Sequence, residues 1–354
     1  MRTIKQITFL FLVFISIISC TDDQVILPLG AYERGFFISN EGNFGTDNAE
    51  VSFISNDGLI VKQDVFKSEN NGAILGNTLQ SIAFHQDKAF LVVNGSNKIE
   101  VVNRYTFKRI ATINTGLNNP RYMVFMNNKG FVTNWGAGSN PNDDYVAVIN
   151  LLTYTVESTI PVVEGPEKII AHNNILYVAH QGGWSFNNKV SVITNGNAVS
   201  QTLTVGDVPK GLGVFNNQLF VLCAGKSSWQ PGGETDGGIH VVNLANNTVA
   251  LWHTFEGAKP NHMTMANNDI YYSRGNKIFK TSVNDLTFNS QEILDATAQN
   301  INILYGMSVS QNMIFVLDAV NYTGSNGKVL FYNKAGSYLG AKETGLLPNG
   351  VGFN

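Results

Sequence analysis

The chain has 354 residues, of which 44% are hydrophobic and 14% are charged. This composition indicates a folded globular protein and excludes an intrinsically disordered one. The length allows one large all-β domain or two ordinary domains. The net charge is −3, and the sequence has no cluster of Lys and Arg, so nucleic acid is not an expected partner.

The first residues are typical of an export signal. Arg2 and Lys5 precede an apolar stretch at 7–18 that is short for a membrane span, so we interpret residues 1–19 as a signal peptide. Ser19 before Cys20 resembles a bacterial lipobox. We therefore expect lipid on Cys20, a tether over 20–34, and a location on the outer membrane or cell surface. The alternative is an ordinary signal peptide followed by an incidental cysteine.

The second cysteine, Cys223, lies in the apolar stretch LFVLCAG. If Cys20 carries lipid, Cys223 has no partner, and no disulfide is expected. Apolar neighbours favour a buried structural thiol over a reactive one.

A repeat with a period of 40–50 residues follows the tether. The units span 79–119, 120–165, 166–208, 209–259, 260–300 and 301–347. Each has four short runs rich in Val, Ile, Tyr and Thr, separated by Asn, Asp and Gly, which predicts four β-strands per unit. Residues 35–78 contain second, third and fourth strands, the fourth being LIVKQDVF at 59–66, but no first strand.

The last residues, PNGVGFN at 348–354, match a first strand with nothing after it. Six complete units and two complementary fragments make seven units. This pattern predicts an all-β, seven-bladed β-propeller over 35–354, in which strand 348–354 pairs within the first blade and closes the ring. Closure by a shared blade also protects strand edges that would otherwise be exposed.

Strand alternation divides the connections between two faces. The turns between first and second strands are short and rich in Asn, whereas the second-to-third loops are long in five units. Three tryptophans lie in consecutive loops of this long class, and two other aromatic residues occupy comparable places. Aromatic loops on one face of a rigid ring are typical of a binding surface. The candidate ligand-binding aromatic residues are Phe44, Trp135, Trp184, Trp229 and Tyr322.

The fourth-to-first connections share that face and lead to the channel mouth. Their polar residues are candidates for hydrogen bonds to a polar ligand, with solvated turn residues as the alternative. The candidates are Arg121, Glu167, Lys168, Lys210, Asn261, His262 and Asn349, joined by His180 at the start of a long loop.

Catalytic patterns are missing from the sequence. It contains no Ser-His-Asp signature, no paired carboxylates at a recognisable spacing and no P-loop. We therefore expect no cofactor, no metal centre and no enzymatic activity. The acidic groups at 142–144 and 234–236 leave Ca²⁺ binding as an alternative to simple solvation.

Three segments carry a resemblance to a known family. NEGNFGTDNAEVSFIS (40–55), GSNKIEVVNRYTFKRIATI (95–113) and the pattern at 166–180 resemble the YncE-like, YVTN-repeat propellers of Bacteroidetes. The acidic residues after Cys20 also resemble the surface-export tag of Bacteroidetes lipoproteins. The resemblance implies a surface lipoprotein of a group whose members include proteins that capture cobamides and pass them to a TonB-dependent transporter.

The preferred hypothesis is a binding protein that holds a small nutrient on its aromatic loop face. A cobamide, whose flat corrin and amide fringe suit stacking and hydrogen bonding, is the best single candidate. The partner would be a TonB-dependent outer-membrane transporter, with membrane contact through the lipid alone. Two alternatives are a lactonase-type propeller hydrolase and a scaffold that binds another protein through the same face.

Overall fold

The structure, a computed structural model, describes residues 29–285 and 287–354. The predicted signal peptide and Cys20 lie outside this part of the chain. The described residues form seven four-stranded antiparallel sheets, as predicted. The strands are β1 (Gly35–Asn40), β2 (Glu50–Ser55), β3 (Val61–Lys62), β4 (Leu79–His85), β5 (Lys88–Val93), β6 (Lys98–Asn103), β7 (Arg109–Ile113), β8 (Pro120–Met126), β9 (Lys129–Asn134), β10 (Tyr145–Asn150), β11 (Thr155–Pro161), β12 (Pro166–His172), β13 (Ile175–His180), β14 (Lys189–Thr194), β15 (Ala198–Thr204), β16 (Pro209–Phe215), β17 (Gln218–Cys223), β18 (Gly237–Asn243), β19 (Thr248–Phe255), β20 (Met263–Ala266), β21 (Asp269–Arg274), β22 (Lys277–Ser282), β23 (Gln291–Asp295), β24 (Leu304–Val309), β25 (Met313–Asp318), β26 (Lys328–Asn333), β27 (Tyr338–Glu343) and β28 (Pro348–Phe353).

Each sheet is one blade. Blade 1 is β28-β1-β2-β3, and blades 2 to 7 are the successive groups of four strands from β4 to β27. The short helices are α1 (Val65–Glu69) and two 3₁₀ turns at Asn94–Ser96 and Ala296–Gln299. Among the described residues, no helix is long and apolar enough to cross a membrane.

The C-terminal strand closes the ring, which confirms the prediction for 348–354. Strand β28 pairs antiparallel with β1, and Ile38 lies opposite Val351. The end of the chain is held by Arg104, whose Nη2 donates to the carbonyl of Phe353 at 3.0 Å. Strands from the two ends of the propeller, β1 and β28, therefore pair within blade 1.

The core lies between neighbouring blades. The buried apolar side chains form clusters at the blade-to-blade contacts, because second and third strands are buried on both faces. In β13, Leu176 and Val178 pack on blade 3, whereas Tyr177 packs on blade 5. Cys223 belongs to the contact between blades 4 and 5, and burial raises the pKa of its thiol.

The outer strand of blade 1 differs from the prediction of a strand over 59–66. Strand β3 has two residues, Val61 and Lys62. Asp64 then adopts a left-handed φ of 51°, and α1 begins at Val65. Val65 and Phe66 are buried in the cluster between blades 1 and 2. Their apolar side chains gain more burial in this cleft than an outer strand offers, which explains the change of path.

The segment before the first strand is also part of this packing. Tyr32 is buried against Phe37, Phe53 and Phe107. Its backbone N–H donates to the carbonyl of Tyr105, in the turn between β6 and β7, at 3.0 Å. The chain therefore enters the propeller on the face opposite the long loops.

Candidate functional site

A repeated backbone feature directs side chains into the channel mouth. In six blades the pairing register between first and second strands shifts near the start of the first strand. Such shifts are typical of β-bulges, which turn a side chain out of the regular ladder. The shift follows a proline in four blades and a leucine in two: Pro120, Pro166, Pro209, Pro348, Leu79 and Leu304.

The residues near these shifts line a cavity of about 240 Å³ on the ring axis, which we call the axial cavity. Every blade contributes to its wall. Of the sequence candidates, the structure brings six together here: Glu167, Lys168, Lys210, Asn261, His262 and Asn349. The other lining residues are Glu41, Gln80, Tyr122, Gln181, Met263, Tyr305 and Met307.

Arg121 lies behind this wall and supports it. Its Nε and Nη2 bond to the two carboxylate oxygens of Glu167 at 2.8 and 2.9 Å. Its guanidinium also lies 3.8 Å from the ring centroid of Trp135. A bidentate ion pair with a stacked indole fixes all three groups in one arrangement. Arg121 is therefore already engaged on both sides by the protein.

A second network holds the opposite wall. The Tyr305 hydroxyl donates to one oxygen of Glu41 at 2.7 Å, and Asn349 Nδ2 donates to the other at 2.9 Å. Burial raises the pKa of Glu41, although these two hydrogen bonds favour its ionised form. Asn349 also accepts from the Ser39 hydroxyl. Asn349 Nδ2 also donates to the carbonyls of Leu79 and Gln80 at 3.0 and 3.1 Å, so Asn349 connects its own strand β28 with β1 and β4.

His262 is held as a neutral ring. Its Nε2 lies 3.2 Å from the carbonyl of Tyr305, which can only accept, so Nε2 carries the proton. Its Nδ1 then accepts from the Ser273 hydroxyl at 2.9 Å. Burial, followed by the charges of Lys210 and Lys168, lowers the pKa of His262 to about 3. Both ring nitrogens are used, so His262 offers the cavity its ring and no free nitrogen.

The two lysines are the flexible cations of the cavity. Lys168 Nζ lies 3.5 Å from the ring centroid of Tyr122. Lys210 Nζ donates to Asn261 Oδ1 at 2.8 Å, and burial lowers the pKa of Lys210.

A groove of about 530 Å³ continues from the axial cavity across blades 5 to 7. It shares Lys210 and Asn261 with the cavity, and Gly275 and Asn276 of a short loop form part of its lining. Because this loop in blade 6 is short, the longer loops at 224–236 and 319–327 leave open space between them.

A third cavity, of about 310 Å³, lies beside Trp135 and Trp184 and is here called the indole pocket. The two rings meet edge to face with centroids 6.3 Å apart. Asp144 also lines this pocket, and its carboxylate accepts from the Gly165 N–H at 2.6 Å. Burial raises the pKa of Asp144 to about 7.

The predicted aromatic residues differ in their exposure. Trp135 is half-buried between Arg121 and Trp184, whereas the other four are exposed on the long-loop face. Tyr322 lies near the cavity, with its ring centroid 6.0 Å from that of Tyr305. The exposed fractions are 82% for Phe44, 65% for Trp184, 80% for Trp229 and 61% for Tyr322.

His180 does not line the axial cavity. It ends β13 and is fully buried, with Nε2 2.8 Å from the Ser191 hydroxyl. Burial lowers the pKa of His180 to about 3. The sequence placed this residue at a loop boundary, but the pairing of β13 with β14 extends to it and encloses the ring.

Sequence reasoning did not select Glu41, Gln80, Tyr122, Gln181 or Tyr305 as site residues. In four blades the first strand opens with proline, but in blades 2 and 7 it opens with leucine. Gln80 and Tyr305 each directly follow that leucine. Alignment by strand register rather than by proline would have found both. Tyr122 directly follows the selected Arg121 and lines the cavity, whereas Arg121 lies behind its wall.

The described residues contain no group of three or more His, Cys, Asp and Glu side chains placed to hold a metal ion. The arrangement in the axial cavity offers two ammonium groups, amides and ring faces, with its carboxylates already bonded. This set is suited to binding a polar molecule through charge and hydrogen bonds.

Comparisons with known proteins agree with this fold. None of the curated protein sequences matches the chain. Similar solved structures include a hypothetical selenium-binding protein from Sulfolobus tokodaii, with 8% identity, a TM-score of 0.67 and coverage of 90% of this chain and 92% of that one. Two others are provisionally named 6-phosphogluconolactonases. The Bacteroides uniformis protein has 10% identity, a TM-score of 0.63 and coverage of 90% and 99%.

The Bacteroides fragilis protein has 11% identity, a TM-score of 0.62 and coverage of 92% and 98%. At such identities these likenesses establish the propeller fold alone. The family described as "Domain of unknown function (DUF5074)" matches residues 34–335, which is most of the propeller. The chain therefore belongs to the DUF5074 family.

Proposed function

We propose that the protein is a binding protein that holds a polar small molecule in the axial cavity and presents it on the long-loop face. The observation that carries this proposal is the convergence of side chains from all seven blades on one open cavity. A structural core would place apolar side chains on this axis, whereas most of the lining here is polar. Rigid strands hold these groups, so little ordering is lost when a ligand binds.

A cobamide remains the best single candidate for the ligand, and this choice depends on the family resemblance. The connected groove and the exposed Trp229 and Tyr322 supply the larger surface that such a ligand needs. The axial cavity alone, at about 240 Å³, is smaller than a typical site for a drug-sized molecule. The larger part of the ligand would therefore lie on the loop face.

Equilibrium dialysis of micromolar protein against cyanocobalamin tests this proposal. We expect retention of one ligand per chain, and a clear loss when Trp229 and Tyr322 are both replaced by Ala. Leu152→Ala is the matched control, because Leu152 is 80% exposed on a turn of the opposite face. Absence of retention by the wild-type protein would count against cobamides.

The anchor is a further part of the proposal. If Cys20 carries lipid, the anchor would lie on the side of the propeller where Tyr32 contacts Tyr105. The axial cavity would then open away from the anchor, and the tether would allow the ring to turn toward a TonB-dependent transporter. Labelling with a radioactive fatty acid, with Cys20→Ala as control, tests the anchor, and co-purification of a transporter tests the partner.

Lactonase-type hydrolysis is the alternative function that the sequence analysis left open, and two structural neighbours carry a provisional lactonase name. A protein-binding scaffold is a third. Metal analysis and a lactone hydrolysis assay test the hydrolase alternative. Stoichiometric Ca²⁺ or Zn²⁺ together with hydrolysis of a lactone would support it.

A further inference from the structure

We propose that the axial cavity contains an anion subsite, in which Lys168 and Lys210 together hold an oxyanion group, phosphate or carboxylate, of the bound molecule. This inference rests on the proposed ligand-binding role of the same cavity and names the chemistry of its ligand.

Neither Lys168 nor Lys210 is paired with a carboxylate in the part of the chain that the structure describes. Among the described residues, no acidic oxygen lies within 4.0 Å of either ammonium group. Lys168 faces the Tyr122 ring, and Lys210 faces the amide oxygen of Asn261. Two half-buried lysines elsewhere in the ring are paired with acids, Lys98 with Glu100 at 2.7 Å and Lys328 with Asp318 at 3.5 Å, whereas Lys334 faces the ring of Tyr271.

The nearby carboxylates are bonded to groups other than the lysines. Glu167 uses both oxygens for Arg121, and Glu41 uses both for Tyr305 and Asn349. Neither carboxylate is hydrogen-bonded to a lysine, although the charge of Glu167 acts on Lys210 from a distance. Counting Arg121, the cationic groups of the cavity and its wall outnumber the carboxylates of Glu41 and Glu167 by three to two, and this excess of positive charge favours an anionic guest.

Lys168 and Lys210 belong to neighbouring blades, yet both line one cavity, and the charges of both act on the ring of His262. The His262 ring stays neutral, so the positive charge facing the cavity comes from the two lysines. Burial also lowers the pKa of Lys210, which means that its charge is poorly solvated in the empty cavity. A bound oxyanion would supply the missing counter-charge.

The shape of the site places the remainder of the ligand. Lys210 and Asn261 stand at the border between the axial cavity and the groove of about 530 Å³. An oxyanion held by the lysines would occupy the axial end, and the uncharged part of the molecule would extend along the groove. Lysines suit this role because a flexible ammonium group can follow an anion without a fixed bidentate geometry.

Isothermal titration calorimetry with inorganic phosphate, malonate and neutral glycerol, at one ionic strength, tests the subsite. We expect phosphate or malonate to bind once per chain, and glycerol not to bind. Lys168→Met and Lys210→Met should each weaken anion binding roughly tenfold or more, because each removes a charged hydrogen-bond donor. Lys108→Met is the matched control, since Lys108 is exposed on a turn of the opposite face.

Lys210→Gln provides a second variant that keeps a donor for Asn261, and circular dichroism confirms folding of each protein. Preference for phosphate or for malonate identifies the group, and either result supports the subsite. Flat titrations with both anions, or binding that survives replacement of both lysines, would overturn it.

The two proposals fail separately. Retention of cyanocobalamin together with flat anion titrations would overturn the subsite and keep the binding function. Lysine-dependent anion binding without cobalamin retention would support the subsite and remove the cobamide.

Discussion

The ion pair behind the axial cavity yields a quantitative prediction. Glu167 is 5% exposed, and the Arg121 side chain beside it is 12% exposed. Glu167→Gln keeps the shape but leaves the guanidinium buried without its carboxylate. Breaking a buried pair in this way costs about 3–5 kcal/mol of unfolding free energy. The stacking of Arg121 on Trp135 is expected to persist and to limit the loss to the lower end of that range.

A double-mutant cycle with Arg121→Gln isolates the coupling. Each single variant leaves one buried charge without its partner. The loss of unfolding free energy in the double variant should therefore be about 3 kcal/mol smaller than the sum of the two single losses. Urea unfolding followed by circular dichroism measures each free energy. The exposed pair Lys277–Glu292 is the control, with an expected coupling of about 0–1 kcal/mol. Additive losses at Arg121 and Glu167 would refute the reasoning.

Three further predictions concern the fold and the loop face. Burial raises the pKa of Asp144 to about 7, so the folded chain keeps a proton that the unfolded chain loses near pH 4, and stability falls as pH rises between those values. Asp144→Asn should remove most of this pH dependence, measured as the change in urea midpoint from pH 4 to pH 8 against wild type. Deletion of 348–354 leaves β1 without its inner partner, and we expect a lower thermal midpoint and loss of a single cooperative transition in calorimetry. Trp252 packs on Phe220 and Phe288, so Trp252→Ala should cost about 3 kcal/mol in urea unfolding, whereas exposed Trp229→Ala should cost less than about 0.5 kcal/mol.

The ring could be predicted from the sequence because the residue pattern that specifies it is periodic. Proline, turn residues and apolar runs recur in each unit, and the terminal fragment 348–354 completes the first blade. The outer strand of blade 1 was not predicted correctly. The run at 59–66 has strand-like composition, but the cleft that receives Val65 and Phe66 exists only once blades 1 and 2 are assembled.

The candidate site was predictable only in part, for a related reason. Position in a repeat showed that Lys168, Lys210 and Asn349 approach the mouth, and the structure places them there. Position did not show which groups bond to one another. The pairing of Arg121 with Glu167 joins residues 46 apart, and the enclosure of His180 depends on how far a strand pair extends.

Mass spectrometry of small molecules that co-purify with the protein from its native membrane tests the central claim most directly. The account predicts a bound compound that bears a phosphate or carboxylate group, close to one per chain, and strongly reduced when Lys168 and Lys210 are both replaced by Met. No compound above background, or an equal yield from that variant, would contradict a ligand site in the axial cavity.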